Sequence, residues 1–458
     1  MHGSACPTIS QSKQTSNKRE FVTKFKKGEK MGGENTPPAS PREEINEMLE
    51  ENDDEELLEE GAVEVIDLDE ELAGMGWDPN DHQDDQDVIP EEGNSSLILT
   101  HHKKSVFCVS VQQQRGDTTD NDDLKVATGG EDDCCYLWDL KTGSVSHKWD
   151  NFKDSVTQVK FNSDGSLLAM ADMSGLIQVV KVLPSLNTEP IWSFETSDLT
   201  WLDWHPSINV LFAGTDDSSF WMWKIPSGQS KIYQGHGEKV ELAKILPDGK
   251  RGVVGYADGS LRIFDLKSEE VIHNVTPFQS KAAVCSLDVR TDNQLVVAGS
   301  ADGEIAILNA NTGKILACLT LKSPSSAAPA ATTEEEQSSS VEAVLFTAPA
   351  LNQVIAGDIN GNVTVWDLAS QVAKVSTRVA TGVVKMSWKS PTELIIGTLD
   401  GDVLIMDPRS LQSLATCTGH SDQVLDFALT KKGSLLVSAS DDRTCRVYDL
   451  EEIMNTTR

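Results

Sequence analysis

Carboxylates dominate the chemistry open to this 458-residue chain: 72 Asp and Glu stand against 39 Lys and Arg, for a formal charge of −33. Eight of them fall at comparable points of a recurring pattern: Glu131, Asp133, Asp154, Asp172, Asp198, Asp216, Asp422 and Asp441. Catalysis would pair such groups with a base or nucleophile, and metal binding would group them with His or Cys at short spacing. The chain has no P-loop, G-x-S-x-G, H-E-x-x-H or Cys-His nucleophile pattern. Its eight Cys include no C-x-x-C pair, and the adjacent Cys134 and Cys135 point to opposite faces if they lie on a strand. The expectation is a protein that is not an enzyme, with no catalytic, metal or cofactor site and with the thiols of a reducing compartment. What remains to the carboxylates is attraction of a cationic partner, a basic protein or peptide. Direct nucleic-acid binding is not expected, because it needs cationic surface to displace counterions from phosphates.

The elements that must position these acids are legible in a phrase that returns eight times. Its clearest copies are GGEDDCCYLWDL (Gly129–Leu140), GTDDSSFWMWKI (Gly214–Ile225), GYADGSLRIFDL (Gly255–Leu266), GDINGNVTVWDL (Gly357–Leu368) and SASDDRTCRVYDL (Ser438–Leu450). Alignment gives a turn column, Asp132, Ser174, Asp217, Asp258, Asp302, Asn360, Asp400 and Asp442, at steps of 42, 43, 41, 44, 58, 40 and 42 residues. An aromatic or apolar column follows it: Trp138, Val180, Trp223, Phe264, Leu308, Trp366, Met406 and Tyr448. A period of about 40–45 residues made of four short strands is the pattern of a propeller blade. Within one period the strands are a (Val156–Phe161), b (Leu167–Met170), c (Ile177–Val182) and d. The last repeat ends soon after its strand c, Cys445–Asp449, and Leu97–Thr100 can supply its outer strand, which would leave no free sheet edge at the seam. The fold class is therefore all-β, an eight-bladed propeller over residues 97–458, expected as a monomer.

Two polar segments precede it. Residues 1–30 carry net +5 and residues 31–96 net −23, and both are too poor in aromatics to build a core; the reading is a basic disordered extension and an acidic disordered arm. Neither holds a secretory h-region, no stretch of the chain is apolar enough for a membrane helix, and Met31 opens a second plausible N-terminus. Val65–Leu68, VIDL beside an acidic run, resembles a SUMO-interaction motif. Lys322–Ser340 accounts for the long step and reads as a disordered loop. Trp192, Trp201, Trp204, Trp221 and Trp223 gather in the third repeat, where core packing is expected, with Trp201 and Trp204 on opposite sides of a strand.

The repeats resemble those of WD-repeat proteins. That resemblance implies a buried hydrogen-bond relay in each intact blade: His before strand a, Ser or Thr in strand b, the turn Asp, and the Trp of strand c. Matched position by position, the first blade offers His102, Thr128, Asp132 and Trp138, and the last offers His420, Ser438, Asp442 and Tyr448. His236 keeps its place in the fourth blade, where Val254 and Phe264 interrupt the relay. In a propeller the b–c turns and d–a loops share one face, so the eight acids first named would gather there, beside Lys103, Lys104, Lys153 and Lys239.

Finer motifs resemble the angio-associated migratory cell protein family: SVFCVS (Ser105–Ser110), WHP (Trp204–Pro206), WMWKIPSG (Trp221–Gly228), LPDGKRGVVGYADGSLRIFDLK (Leu246–Lys267) and LDFAL (Leu425–Leu429). This resemblance implies a cytoplasmic propeller, partly at the cell cortex, linked in vertebrates to migration and angiogenesis. It also implies kinship with a yeast chaperone of a large-subunit ribosomal protein, which agrees with an acidic face. The leading expectation is a chaperone-type platform for a basic ribosomal protein. The alternatives are a migration scaffold in Rho-type signalling and a cullin ubiquitin-ligase substrate receptor, the last resting on Met406-Asp407-Pro408-Arg409.

Overall fold

The computed structural model describes residues 92–113, 124–183, 187–321 and 339–457. They form eight four-stranded antiparallel sheets. Blade 1 consists of Val106–Val111, Lys125–Gly130, Cys135–Asp139 and Val145–Trp149, strands a to d from the innermost outward. Blades 2 to 7 run from Val156–Phe161 to Thr188–Glu195, Leu199–Trp204 to Gln229–Tyr233, Val240–Ile245 to Val271–Val275, Val284–Val289 to Ile315–Thr320, Ala343–Phe346 to Val372–Arg378, and Val383–Ser390 to Gln412–Cys417. Blade 8 joins Val424–Leu429, Leu435–Ser440 and Cys445–Asp449 to Leu97–Leu99. A helix, Leu450–Thr457, follows and buries Leu450 and Ile453 beside the outer strand of blade 7. The segments read as a basic extension, an acidic arm and a connecting loop, Val65–Leu68 among them, lie outside the described residues apart from residues 92–96, 339 and 340.

Burial follows strand position. Strand b is covered on both faces: Lys125–Gly130, Leu167–Asp172, Val210–Thr215 and Leu295–Ser300 are buried at every position. Such strands need small and β-branched residues rather than a polar alternation. The penultimate position of strand b is often Gly because the next blade presses on it. A Cβ on Gly129 would meet Val156 Cγ1 at 2.6 Å, one on Gly214 would meet Val240 Cγ1 at 2.5 Å, and one on Gly299 would meet Val341 Cγ1 at 2.6 Å. These blades thus seat an apolar residue at or just before the start of their neighbour's inner strand, and apolar side chains of adjacent blades fill the space between sheets.

The seam between the chain ends is built as in the other blades, with two additions. Leu97, Ile98 and Leu99 pair antiparallel with Val447, Arg446 and Cys445. The polar stretch before them, grouped with the arm on composition, is also bonded to the end of blade 7's outer strand: Asn94 Nδ2 donates to Thr416 O at 2.8 Å and its Oδ1 accepts Thr418 N–H at 2.9 Å. Arg446, fully buried, donates to Ser95 Oγ at 3.1 Å. On the channel side, Asp426 bridges three blades, accepting Lys385 Nζ of blade 7 at 2.5 Å and Val109 N–H of blade 1 at 3.0 Å. Burial works to raise the Asp426 pKa, but Lys385 and Lys160 outweigh it and hold the carboxyl below its usual range.

The closing strand should carry a large share of stability. Leu99 is 2% exposed in the core between blades 8 and 1. Leu99→Ala is expected to cost about 2–4 kcal/mol in chemical denaturation. Removal of the chain through Thr100 should bare the Cys445–Asp449 edge and give a protein that aggregates on expression. An unchanged denaturation midpoint for both variants would contradict this seam.

Candidate functional site

The first blade holds a complete polar chain behind its b–c turn. Trp138 Nε1–H donates to Thr128 Oγ1 at 2.9 Å, and Thr128 Oγ1 lies 2.9 Å from His102 Nε2. Asp132 Oδ1 lies 2.9 Å from His102 Nδ1, and because a carboxylate only accepts, Nδ1–H is the donor. The second oxygen of Asp132 accepts Lys103 N–H at 3.0 Å, which fixes the d–a loop to the b–c turn. Burial alone would raise the Asp132 pKa; the hydrogen bond and charge of His102 prevail and lower it.

Blade 8 repeats the pattern with His420 Nδ1 2.7 Å from Asp442 Oδ2 and Nε2 2.6 Å from Ser438 Oγ. In the fourth place stands Tyr448, whose hydroxyl interacts with the Ser438 side chain and lies 3.4 Å from the Thr418 carbonyl. Thr444 joins them, donating to Asp442 Oδ1 at 2.7 Å. In blade 4, His236 contacts Asp258 at 2.8 Å, but its side chain is 24% exposed against 1% for His102. The buried His–Asp pairs tie loops together and have no approach for a substrate.

The b–c turns and d–a loops do share one face, and the eight acids divide on it. Asp133, Asp154, Asp198, Asp216 and Asp422 are exposed. Glu131 is half-buried and pairs with Lys104 at 3.4 Å, and Asp441 is half-buried with Ser105 and Gln423 as donors. Asp172 departs from expectation: it is 0% exposed and cannot meet a partner. It accepts Lys153 N–H at 3.0 Å, Leu176 N–H at 2.9 Å and Ser174 Oγ–H at 2.9 Å. With Phe152 where a relay His would stand, this carboxylate, two residues before the turn column, itself ties the loop to the turn.

Three of the exposed acids converge. A cleft of about 360 Å³ opens where blades 2, 3 and 4 meet, lined by Asp154, Asp198, Asp216, Glu241, Met173 and Thr200 together with Lys239. Lys239 is paired with Glu241 at 3.2 Å. Asp154, Asp198 and Asp216 form no ion pair among the described residues. Met173 is 48% exposed beside them, an apolar surface among carboxylates. Nothing in the linear sequence announces this cleft, because its lining residues come from three repeats.

The tryptophans belong to the core. Trp221 and Trp223 stack at 5.3 Å and pack against Trp192 and Phe194 of blade 2. Trp204 donates to Lys160 O at 2.9 Å, while Trp201 packs toward blade 4. The thiols of Cys135 and Cys445 are buried and pushed well above the ordinary range by desolvation, and that of Cys417 is pushed up to about 12. Among the described residues no group of His, Cys, Asp and Glu could hold a metal ion, and no helix is long and apolar enough to cross a membrane.

Comparison with known proteins agrees with this architecture. The WD domain, G-beta repeat, matches residues 93–139 and 411–449, and the anaphase-promoting complex subunit 4 WD40 domain matches 202–285. The human angio-associated migratory cell protein is 32% identical over 422 residues, 88% of this chain and 95% of that protein. Ribosome assembly protein SQT1 of Saccharomyces cerevisiae is 22% identical over 420 residues, 83% of this chain and 93% of its own. The yeast Sqt1 crystal structure superposes with a TM-score of 0.68 over 78% of this chain and 99% of that one, at 20% identity. Chaetomium thermophilum Sqt1, solved bound to the N-terminus of the ribosomal protein L10, gives 0.66 over 78% and 100%, at 23% identity.

The relay geometry sets an order of effects. His102→Ala and His420→Ala each strand a buried carboxylate and should cost on the order of 1–3 kcal/mol at neutral pH; His236→Ala should cost less, since water reaches its site. Asp132 and Asp442 have folded-state pKa values below the unfolded 3.8, so their contribution is present above that pH and is lost as pH falls through the folded values. Thermal melts of the three variants between pH 7 and 3 check both points; equal losses for all three would contradict the relay.

Proposed function

The chain belongs to the angio-associated migratory cell protein family, and we propose that it is a non-enzymatic platform holding a basic segment of a ribosomal protein against its acidic face. The observation that carries this reading is the cleft of Asp154, Asp198 and Asp216: carboxylates without an ion pair among the described residues, brought together from two successive d–a loops and one b–c turn, beside exposed Met173. A flexible Lys- or Arg-rich segment complements it. The cationic heads meet the carboxylates, and the aliphatic stems lie on the methionine. Asp133 and Asp422 extend the same charge around the face and raise the local concentration of a cationic partner before contact. Support comes also from Sqt1, similar in fold and named a ribosome assembly protein in yeast, whose Chaetomium form was solved with the N-terminus of a ribosomal protein. In this reading the bound segment is shielded from other polyanions until assembly displaces it.

The ubiquitin-ligase reading gains nothing from its motif. Arg409 turns back on Asp407 at 2.9 Å, and Met406, in the place of the expected Trp, is buried.

The triple variant Asp154→Lys, Asp198→Lys, Asp216→Lys should reduce the association rate of a Lys/Arg-rich ribosomal N-terminal peptide by roughly tenfold or more at low salt. The wild-type rate should fall between about 50 and 200 mM salt, as the Debye length shrinks toward roughly 8 Å. The melting temperature should hardly move, because none of the three carboxylates is ion-paired among the described residues. Stopped-flow fluorescence gives the rates. Wild-type, salt-insensitive kinetics in the folded variant would sink the proposal.

A further inference from the structure

The acidic cleft holds a cation of its own. Lys239 lines it and pairs with Glu241 at 3.2 Å. Four carboxylates therefore face one ammonium, a net charge of −3. Among the described residues, Glu241 alone of the four is in an ion pair. The sibling blades show that the fold does not require this pair. Seven blades have a bulge just after the first residue of the inner strand. The residue thrown out of the ladder is Glu241 in blade 4, but Phe107, Thr157, Thr200, Cys285, Val384 and Leu425 in the others, so the bulge asks for no charge. The residue before the strand is Lys239 in blade 4, and Ser105, Ser155, Asp198 and Ala283 in blades 1, 2, 3 and 5. Blade 6 has Glu342 at the place matching Glu241, but Ser340 in place of the lysine. Lysine and glutamate stand together at these two positions in blade 4 alone.

The backbone here is fixed while the ammonium is not. Lys239 O accepts Ala257 N–H from the b–c turn of blade 4 at 3.0 Å. The next residue, Val240, is fully buried against Gly214 of blade 3. The Lys239 side chain is 47% exposed, and its ammonium has no second partner among the described residues. A flexible four-carbon stem on a fixed Cα can carry that ammonium out to water. An ion pair this exposed resists separation by no more than about fivefold in an equilibrium constant.

We propose that Lys239 is a built-in competitor that limits how tightly the cleft holds a densely basic segment and so promotes its release. This rests on the reading of the cleft as a site for such a segment. Three cations of the segment meet Asp154, Asp198 and Asp216 and leave the pair undisturbed. A fourth gains a carboxylate only by displacing Lys239 from Glu241, and the ammonium then moves to solvent. As the segment leaves, the pair re-forms, and Glu241 no longer draws the departing cation back. The cleft thus captures with three carboxylates and holds its fourth in reserve, which keeps a long basic segment exchangeable.

The test uses the full chain and two fluorescein-labelled peptides of equal length, one with five arginines and one with three, at about 0.15 M salt, where the Debye length is roughly 8 Å. Stopped-flow displacement reads the dissociation rates. Lys239→Gln should slow release of the five-arginine peptide by about fivefold and change that of the three-arginine peptide by less than about twofold. Lys239→Met keeps the aliphatic stem and should match it, which excludes a packing effect. Lys153 also pairs with a glutamate, Glu195 at 2.9 Å, but does not line the cleft, so Lys153→Gln should leave both rates nearly unchanged. Equal effects of Lys239→Gln and Lys153→Gln, equal effects on the two peptides, or no effect of Lys239→Gln would overturn this proposal and leave the preceding reading standing. If the wild type binds neither peptide, the preceding reading falls and this one falls with it.

Discussion

Everything in this molecule depends on strand b of each blade being covered on both faces. Residues such as Val126, Leu168, Phe212 and Val296 are fully buried, and no single four-stranded sheet can bury them alone. Each sheet must lie between two neighbours, so the array has no stable end and must close. Hence the close approach of an apolar side chain to Gly129, Gly214 and Gly299, and hence the use of Leu97–Leu99, more than three hundred residues from its partner strand, as the last piece. The seam carries extra polar ties, Asp426 to Lys385 and Val109, and Arg446 to Ser95, around the one blade whose strands are not continuous in sequence.

Polar relays and acidic turns are secondary consequences of that ring. Adjacent blades 8 and 1 have His–Asp relays with the strand b hydroxyl, and they flank the seam. Elsewhere the loop-to-turn tie is made by cheaper means, as with Asp172 on the Lys153 amide. Freed from that task, Asp154, Asp198 and Asp216 are left without an ion pair among the described residues, and successive loops of the ring bring them to one cleft. Charge that would be scattered along an open sheet is gathered by curvature.

Much of this was legible in the sequence, for physical reasons. The period and the alternation are local properties, so the eight blades and the closing role of the segment from Leu97 could be read directly, whereas in blade 2 strand b runs two residues beyond the expected Met170 and strand c begins one before Ile177. The His102 and His420 contacts were legible because their partners recur at fixed offsets. Asp172 misled because acids two positions apart on a tight turn differ completely in exposure, and composition does not tell them apart. The acidic cleft needed coordinates: it joins side chains of three repeats.

The central claim is that a basic segment sits in the cleft between blades 2, 3 and 4. Hydrogen–deuterium exchange of the full chain, with and without a saturating Lys/Arg-rich ribosomal N-terminal peptide, locates it most directly. The account predicts slowed exchange in the loops bearing Asp154, Asp198 and Asp216, with the a–b turns of the opposite face unchanged. Protection confined to that opposite face or to the outer strands, with the acidic loops unaffected, would contradict it.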